Sequence, residues 1–401
     1  MKLKKFVSVF AASALAVGLL AGCGAGNKAE EGSTGESKGE SKGGDTIKIG
    51  VNLELSGAVA SYGTSELSGI ELAVDEINAA GGVDGKELEL VKVDNKSEPA
   101  EATSAALKLI NQDKVIAIIG AATSGATVAQ AEIANSKKTP LISPSGTSPN
   151  VTVKDNGDVN EFVFRTSFID PFQGTVAANF AANDLGVKNV AIYSDNASDY
   201  SKGLASSFKK DFEAAGGKVV AEESYVGKDT DFRSTLTRIK AANPEFIFIP
   251  GYYEEVGLIV KQAREMGITV PLMGADGWDS PILLELAGAE ALNNTFTTNH
   301  YSSEDPDGII QEFNKKFNDK YSKSPDAFNA LGYDTVYLLA DAIKRAGGPD
   351  SVKIKDALAE TKDLELVTGL YSVDENHHPV KSATILEYKD GKQVFNTKVN
   401  P

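Results

Sequence analysis

The sequence predicts an α/β protein built from two doubly wound, Rossmann-like lobes. From Ile47 onward, short β-branched apolar runs alternate with helical stretches, the pattern of parallel strands joined by right-handed crossovers. The alternation is made twice, each time over about 120 residues, and a chain of 401 residues is long enough to give each run its own core. The C-terminal third departs from the pattern with two successive helices and then strands. These late pieces are expected to complete both lobes, so that the chain crosses between them more than once.

The N-terminus stands apart from the fold. Lys2, Lys4 and Lys5 precede an apolar run from Phe6 to Leu20, which is short for a membrane span and suits the core of a secretory signal. Leu20-Ala21-Gly22-Cys23 resembles a bacterial lipobox; it implies a signal peptide over residues 1–22 and lipid on the Cys23 thiol. The alternative is an ordinary signal beside a stray cysteine. No other cysteine occurs, so the exported part has no disulfide and no thiolate metal site and must rest on its apolar core. Residues 23–45 are mostly Gly, Ser, Glu, Lys and Asn, a flexible tether that cannot offset its ordering entropy by burial. The formal charge of −16 becomes −19 without the three signal lysines. So acidic a surface argues against nucleic acid or anionic lipid as partners and leaves membrane contact to the lipid.

In the first run, Ile47–Val51 reads as a strand and Leu53–Gly63 as a loop. Leu67, Ile70, Val74 and Ile77 mark one face of a helix closed by Gly81-Gly82, and a strand over Leu88–Val93 precedes a helix over Glu98–Asn111. Val115–Ile119 is a buried strand ended by Gly120, after which Ala126, Val128, Ala129, Ile133 and Ala134 recur with helical spacing as far as Lys137. Ser124 falls where this helix begins and can act as its N-cap. A helix start offers free N–H groups and partial positive charge to a small anion. The next strand ends at Ser143, and parallel pairing would bring both loops to one sheet edge, where open α/β sheets bind ligands. Any α/β domain has such loops, and Ser124 could simply cap its helix, so this stretch alone leaves both readings open.

Phe162–Phe164 reads as a further strand, and Asp170–Gly174 opens a helix reaching Leu185, as a hinge border or a plain helix start. The second run has strands over Val190–Tyr193, Val219–Tyr225, Glu245–Ile249 and Val270–Met273. Its helices are Lys202–Ala214, Phe232–Ala241, Glu254–Met266 and a short one over Ile282–Ala287. Helices over Ile309–Tyr321, Ala327–Ala346 and Ser351–Thr361 follow, then two or three strands from Leu364.

Catalytic motifs are missing from the sequence. There are three histidines, and the pair His377-His378 beside Pro379 reads as a solvated turn rather than a metal site. Phosphate-loop, Gly-x-Ser-x-Gly and zinc-protease patterns are absent. Glu254-Glu255 reads as the charged first turn of a helix. No nucleophile has a base in a persuasive position, so neither an enzyme nor a bound cofactor or metal is expected. What remains is a set of aromatic residues after strands: Tyr62, Tyr200, Tyr252-Tyr253 and the Asp276-Gly277-Trp278 turn. One loop tyrosine is ordinarily half-packed surface. Several at the same end of their strands suit an aromatic-walled small-molecule site between lobes.

Ser56–Gly63 (SGAVASYG), Ala73–Gly82 (AVDEINAAGG), Ile142–Thr147 (ISPSGT), the Asp195–Tyr200–Leu204 segment and Met273–Gly277 (MGADG) together resemble the leucine/isoleucine/valine-binding proteins of bacterial ABC importers, over nearly all of the chain from Ile47. The resemblance implies a type I bilobed binding protein with a three-segment hinge. Lobe 1 would comprise 46–166 plus 299–372, and lobe 2 would comprise 167–298 plus 373–401. By motif, Ser124 would bind a ligand α-carboxylate through its hydroxyl and N–H, with help from Thr147. The Ser145 carbonyl, Thr147 and the Asp276 carboxylate would take the ammonium. Tyr62, Tyr200, Tyr252 and Phe328 would surround the side chain, with Trp278 as a further candidate. Two departures bear on ligand identity: Asp276 stands where Glu is frequent, and Ala122 and Thr123 stand where Leu and Cys occur in well-known members. The implied partners are an amino acid, a permease and its ATPase subunits; the protein would be a monomer, lipid-anchored outside a Gram-positive-type membrane. Rival readings are a receptor for another amino acid, a small amide, a urea-like compound or an aromatic acid, and a sensing subunit without transport. An anchored hydrolase would need the nucleophile and base that the sequence lacks.

Overall fold

The computed structural model describes residues 46–400; the signal and the tether, with Cys23, lie outside them. Strand β1 (Ile47–Leu53) is buried at every position but Lys48, as a central parallel strand must be. Helix α1 (Ala60–Ala79) leads to β2 (Leu88–Asp94), α2 (Pro99–Lys108) to β3 (Ala117–Gly120), and α3 (Ser124–Lys137) to β4 (Leu141–Ser143) and β5 (Val163–Arg165). All pair in parallel in the order β2-β1-β3-β4-β5.

The chain then passes to a second sheet through residues 166–169 and α4 (Asp170–Asn179). Strand β6 (Asn189–Asp195), α5 (Asp199–Ala214), β7 (Lys218–Tyr225), α6 (Arg233–Ala241), β8 (Phe246–Phe248), α7 (Tyr253–Glu265) and β9 (Leu272–Gly274) repeat the alternation. Short helices α8 (Pro281–Ala287) and α9 (Ala289–Leu292) precede β10 (Thr295–Asn299). The chain returns with α10 (Gly308–Tyr321) and α11 (Ala327–Arg345), and α11 packs along α1. Glycines allow that approach: a Cβ on Gly69 would lie 1.9 Å from the Asn329 carbonyl oxygen, and one on Gly332 would lie 2.3 Å from that of Glu66. Helix α12 (Ser351–Ala359) and a small antiparallel sheet of β11 (Leu364–Leu366), β12 (Gly369–Val373) and β13 (Pro379–Val380) follow. A third crossing leads to β14 (Ala383–Lys389) and β15 (Lys392–Val399), giving the order β15-β14-β10-β9-β8-β6-β7.

Several local expectations are corrected. The second sheet is mixed, because β14 and β15 pair antiparallel. Strand β10 has no counterpart in the sequence reading: its Thr-Phe-Thr-Thr-Asn is buried throughout and shows no apolar run. Five C-terminal strands replace the expected two or three. The Leu53–Gly63 loop turns helical at Ala60, where the Thr64 hydroxyl donates back to the Ala60 carbonyl at 2.8 Å. Tyr62 therefore rides on a helix, as does Tyr200 in the first turn of α5, capped by Ser198. His377 is buried rather than solvated, its Nδ1 2.8 Å from the Val163 carbonyl oxygen and its ring stacked on Phe164.

Strand order reverses between β1 and β3 in one sheet and between β6 and β8 in the other. Each reversal opens a crevice at the carboxyl ends of the strands. The candidate site lies where these crevices face each other.

Candidate functional site

On the first wall, Glu54 follows β1, is fully buried, and accepts from the N–H groups of Ala122 and Thr123 at 3.0 Å each and from the Thr123 hydroxyl at 2.7 Å. This carboxylate shapes the turn into α3 and occupies the Thr123 side chain. Ser124 is the first helical residue, not the cap; Thr123 holds the cap position without a side-chain bond. The Ser124 hydroxyl oxygen accepts from Ser148 N–H at 3.1 Å, leaving its proton to donate.

The Ser145 hydroxyl lies 2.8 Å from the Ala122 carbonyl oxygen and is also bonded to Glu66. One hydroxyl proton cannot serve two acceptors. Burial holds Glu66 well above the usual carboxylate range, so its carboxyl supplies the second proton. Thr147 is almost fully buried, and its Oγ1 has no hydrogen-bond partner of normal geometry. Asp170 lies close by, fully buried and likewise without such a bond, and desolvation raises its pKa well above the usual range although Thr147 opposes the shift.

On the opposite wall, Asp276 follows β9 in a short 3₁₀ turn. Its Oδ1 accepts from Tyr200 Oη at 2.8 Å and Gln173 Nε2 at 2.9 Å, and His300 Nε2 lies 3.2 Å from its Oδ2. Gln173 Oε1 accepts in turn from Asp276 N–H at 3.0 Å and from the Thr298 hydroxyl at 2.7 Å. Burial and the Asp276 charge both push the Tyr200 phenol up, so it remains a donor. Aromatic rings close the remaining sides. Tyr62 stacks on Phe328 with centroids 4.3 Å apart, and Tyr200 stacks on Tyr252 at 5.1 Å.

Ten predicted residues line this one cavity: Tyr62, Ala122, Thr123, Ser124, Ser145, Thr147, Tyr200, Tyr252, Asp276 and Phe328, with Gly277 beside them. Trp278 does not. It is wholly buried behind the site, and its Nε1 donates to the Ile249 carbonyl at 2.9 Å. The space between the lining atoms is only about 230 Å³, and the Tyr62 phenol bonds across it to the Gly277 carbonyl. The cleft is shut, and a solute can enter only by separation of the walls. A wider groove of about 1400 Å³ between α5 and β7 is open to solvent, is lined by charged residues such as Lys209 and Glu222, and contains none of the predicted residues.

The sequence pattern of the family described as "Periplasmic binding protein" matches residues 46–393. The chain belongs to this periplasmic binding protein family. It is similar to the leucine-, isoleucine-, valine-, threonine- and alanine-binding protein of Pseudomonas aeruginosa, 31% identical over 88% of this chain and 92% of that one. Among solved structures, it is similar to the branched-chain amino acid transporter substrate-binding protein LivJ of Streptococcus pneumoniae in complex with isoleucine. That likeness has a TM-score of 0.84 and 44% identity over 89% of this chain and all of the other. The leucine-binding protein LivK of Thermotoga maritima gives a TM-score of 0.83 and 38% identity over 89% and 99% of the two chains.

In this periplasmic binding protein, the polar groups that hold the lining residues in place are those the sequence reading missed: the side chains of Glu54, Glu66, Gln173 and His300, and the N–H of Asp170, which donates to the Thr147 carbonyl at 3.0 Å. Gln173 lies in the Asp170–Gly174 segment, which the sequence marks as a hinge border or a plain helix start and not as part of the site. His300 directly follows the unanticipated strand β10. Among the described residues, no cavity hydroxyl is hydrogen-bonded to a histidine, and no cluster of His, Cys, Asp and Glu is arranged to hold a metal.

Proposed function

We propose that this chain is an extracytoplasmic solute-binding lipoprotein that captures a branched-chain amino acid (leucine, isoleucine or valine) between its lobes and delivers it to an ABC importer. One observation carries the reading: hydroxyls at a helix start and a carboxylate held by three donors face each other across a single closed, aromatic-walled cavity. That is the complement of a zwitterion with an apolar side chain. The carboxylate would take Ser124, the N–H groups opening α3, and Thr147; the ammonium would take Asp276 and the Ser145 carbonyl. A shut cleft excludes water, so each ligand charge needs a partner there. Tyr62, Tyr200, Tyr252 and Phe328 would surround the side chain. The ligands named for its relatives support the same class.

Ligand contacts from both walls favour the closed form, which the permease and its ATPase subunits would read. The division into 46–166 plus 299–372 and 167–298 plus 373–401 gives each lobe one wall. Lipid on Cys23 would hold a monomeric receptor at the membrane through the tether, and no step calls for a cofactor. The test is a thermal-shift screen of the full chain against the amino acids, simple amides and aromatic acids. Leucine, isoleucine and valine at about a thousand times Kd should stabilise by about 4 kcal/mol, a shift of several degrees. Stabilisation by amides or aromatic acids, with none by any amino acid, would overturn the reading.

A further inference from the structure

The Asp276 carboxylate is gripped from three directions, by Tyr200, Gln173 and His300. Tyr200 of α5 and Gln173 of α4 both bond Oδ1, so they fix one oxygen and leave the other free to swing about it. The group that meets Oδ2 is His300, at the end of β10. Its ring is wholly buried and stacked on Phe168 with centroids 3.6 Å apart. Phe168 lies in the first segment joining the two sheets and His300 opens the second, so the stack bridges two strands of the hinge.

The protonation state of His300 follows from its surroundings. Nδ1 is buried with no hydrogen-bond partner, so a proton there would lack an acceptor. A neutral ring must then carry its single proton on Nε2, where it can be donated to Asp276. Desolvation also disfavours the cation, and Lys381 opposes it, although the Asp276 and Asp279 carboxylates favour it. A neutral donor orients the carboxylate and leaves its full negative charge for an incoming ammonium. An imidazolium would neutralise it.

We propose that His300 is a positioning residue for ammonium recognition, pinning the second oxygen of Asp276 so that the carboxylate presents a charged lone pair to the cavity. The inference rests on the amino-acid reading above and adds a residue that selects α-amino acids over analogues lacking the ammonium. The stack on Phe168 further ties the carboxylate plane to the hinge that closes the cleft.

Calorimetry on the full chain tests it, with leucine and 2-hydroxy-4-methylpentanoate, which keeps the carboxylate and side chain but replaces the ammonium. In His300→Phe, which retains a ring for Phe168 and loses the donor, leucine affinity should fall at least about tenfold, while hydroxy-acid affinity changes less than about threefold. His300→Gln, which restores an N–H donor, should recover most of the leucine affinity. Equal losses for both ligands, or unchanged leucine affinity in His300→Phe, would overturn the inference. If that variant does not fold, nitrogen-15 NMR of the wild-type imidazoles decides: the neutral Nε2–H tautomer of His300 is expected, and an Nδ1–H tautomer or an imidazolium overturns it. Asp276→Asn separates the two levels. Leucine binding that is lost in Asp276→Asn and kept in His300→Phe removes only the role of His300, whereas no binding of any amino acid by the wild type removes the functional reading itself.

Discussion

The phenol of Tyr62 on α1 donates to the backbone carbonyl of Gly277 in the turn after β9, joining the two walls of the cleft through protein atoms alone. The Tyr62 oxygen also accepts from Tyr253 N–H at 3.3 Å. Two further bonds lie along the same seam: Ser61 Oγ to Ser280 Oγ at 2.7 Å, and Tyr253 Oη to the Ala58 carbonyl at 3.0 Å. Closure is thus favoured in part by contacts that need no ligand, and a ligand has only to supply the rest of the difference between open and closed forms.

Tyr62→Phe should shift that balance toward the open form. It leaves the Gly277 carbonyl without this donor and removes the acceptor of Tyr253 N–H while keeping the stack on Phe328. Loss of about 1–1.5 kcal/mol predicts leucine binding weaker by roughly five- to tenfold. Calorimetry reads the affinity, and small-angle scattering of the free variant should give a larger radius of gyration than wild type. An unchanged radius and affinity would refute the seam as a determinant of closure.

Thr147→Val separates binding from stability. Its hydroxyl is buried without a partner of normal geometry, so an isosteric apolar replacement should leave the melting temperature of the free protein equal or slightly higher. Ligand affinity should nevertheless fall by about 1.5–3 kcal/mol, the range for a hydrogen bond to a charged group. Destabilisation of the free protein with affinity intact would assign Thr147 to the scaffold.

Gly277→Ala is expected to distort the Asp276 wall of the cavity sterically. A Cβ there would lie 2.7 Å from the Gly251 carbonyl oxygen, 2.8 Å from Tyr200 Oη and 3.2 Å from the Tyr252 ring. Relief requires movement of rings that line the cavity, at about 1–3 kcal/mol, so leucine affinity should drop by about tenfold or more.

Asp326 caps α11 and accepts from Asn329 N–H and the Ser65 hydroxyl. Burial, and then the nearby Asp279 charge, push its carboxyl up to about 7. Its folded-state pKa lies above its unfolded value, so between these values the folded state binds more protons. Stability from this group is therefore full below about pH 4 and is lost as pH rises through 7. Asp326→Asn keeps a good cap and removes the charge. It should raise the melting temperature at pH 8, with the advantage shrinking toward pH 5. Parallel melting curves for both proteins across that range would exclude the effect.

Much of this protein is legible in the residues because apolar periodicity is local. The runs around Ile47–Val51, Val115–Ile119, Val190–Tyr193 and Glu245–Ile249 each lie on a parallel strand of the structure, since a strand buried on both faces must be apolar nearly throughout. The hydroxyl, tyrosines and acidic turn after strands marked Ser124, Tyr62, Tyr200, Tyr252 and Asp276, because sheet topology brings successive strand ends to one edge, while Ala122, Thr123, Ser145, Thr147 and Phe328 entered through the resemblance to the leucine/isoleucine/valine-binding proteins. The lipobox and tether readings concern residues outside those described.

Tertiary structure decided the rest. Strand β10 and the burial of His377 depend on hydrogen bonds between segments far apart in sequence, such as the Val163 carbonyl to His377, which no periodicity records. Trp278 looked like a cavity aromatic from its position after β9, but its indole fills the core behind the site. The supports of the site (Glu54 under the α3 turn, and Gln173 and His300 around Asp276) are likewise polar residues drawn together by three crossings of the chain. Sequence spacing could name the groups at each strand end. Which of them are already engaged by another buried polar group, and which still face the cavity, is settled only by three-dimensional contact, because a buried polar atom must find its partner wherever the fold places one.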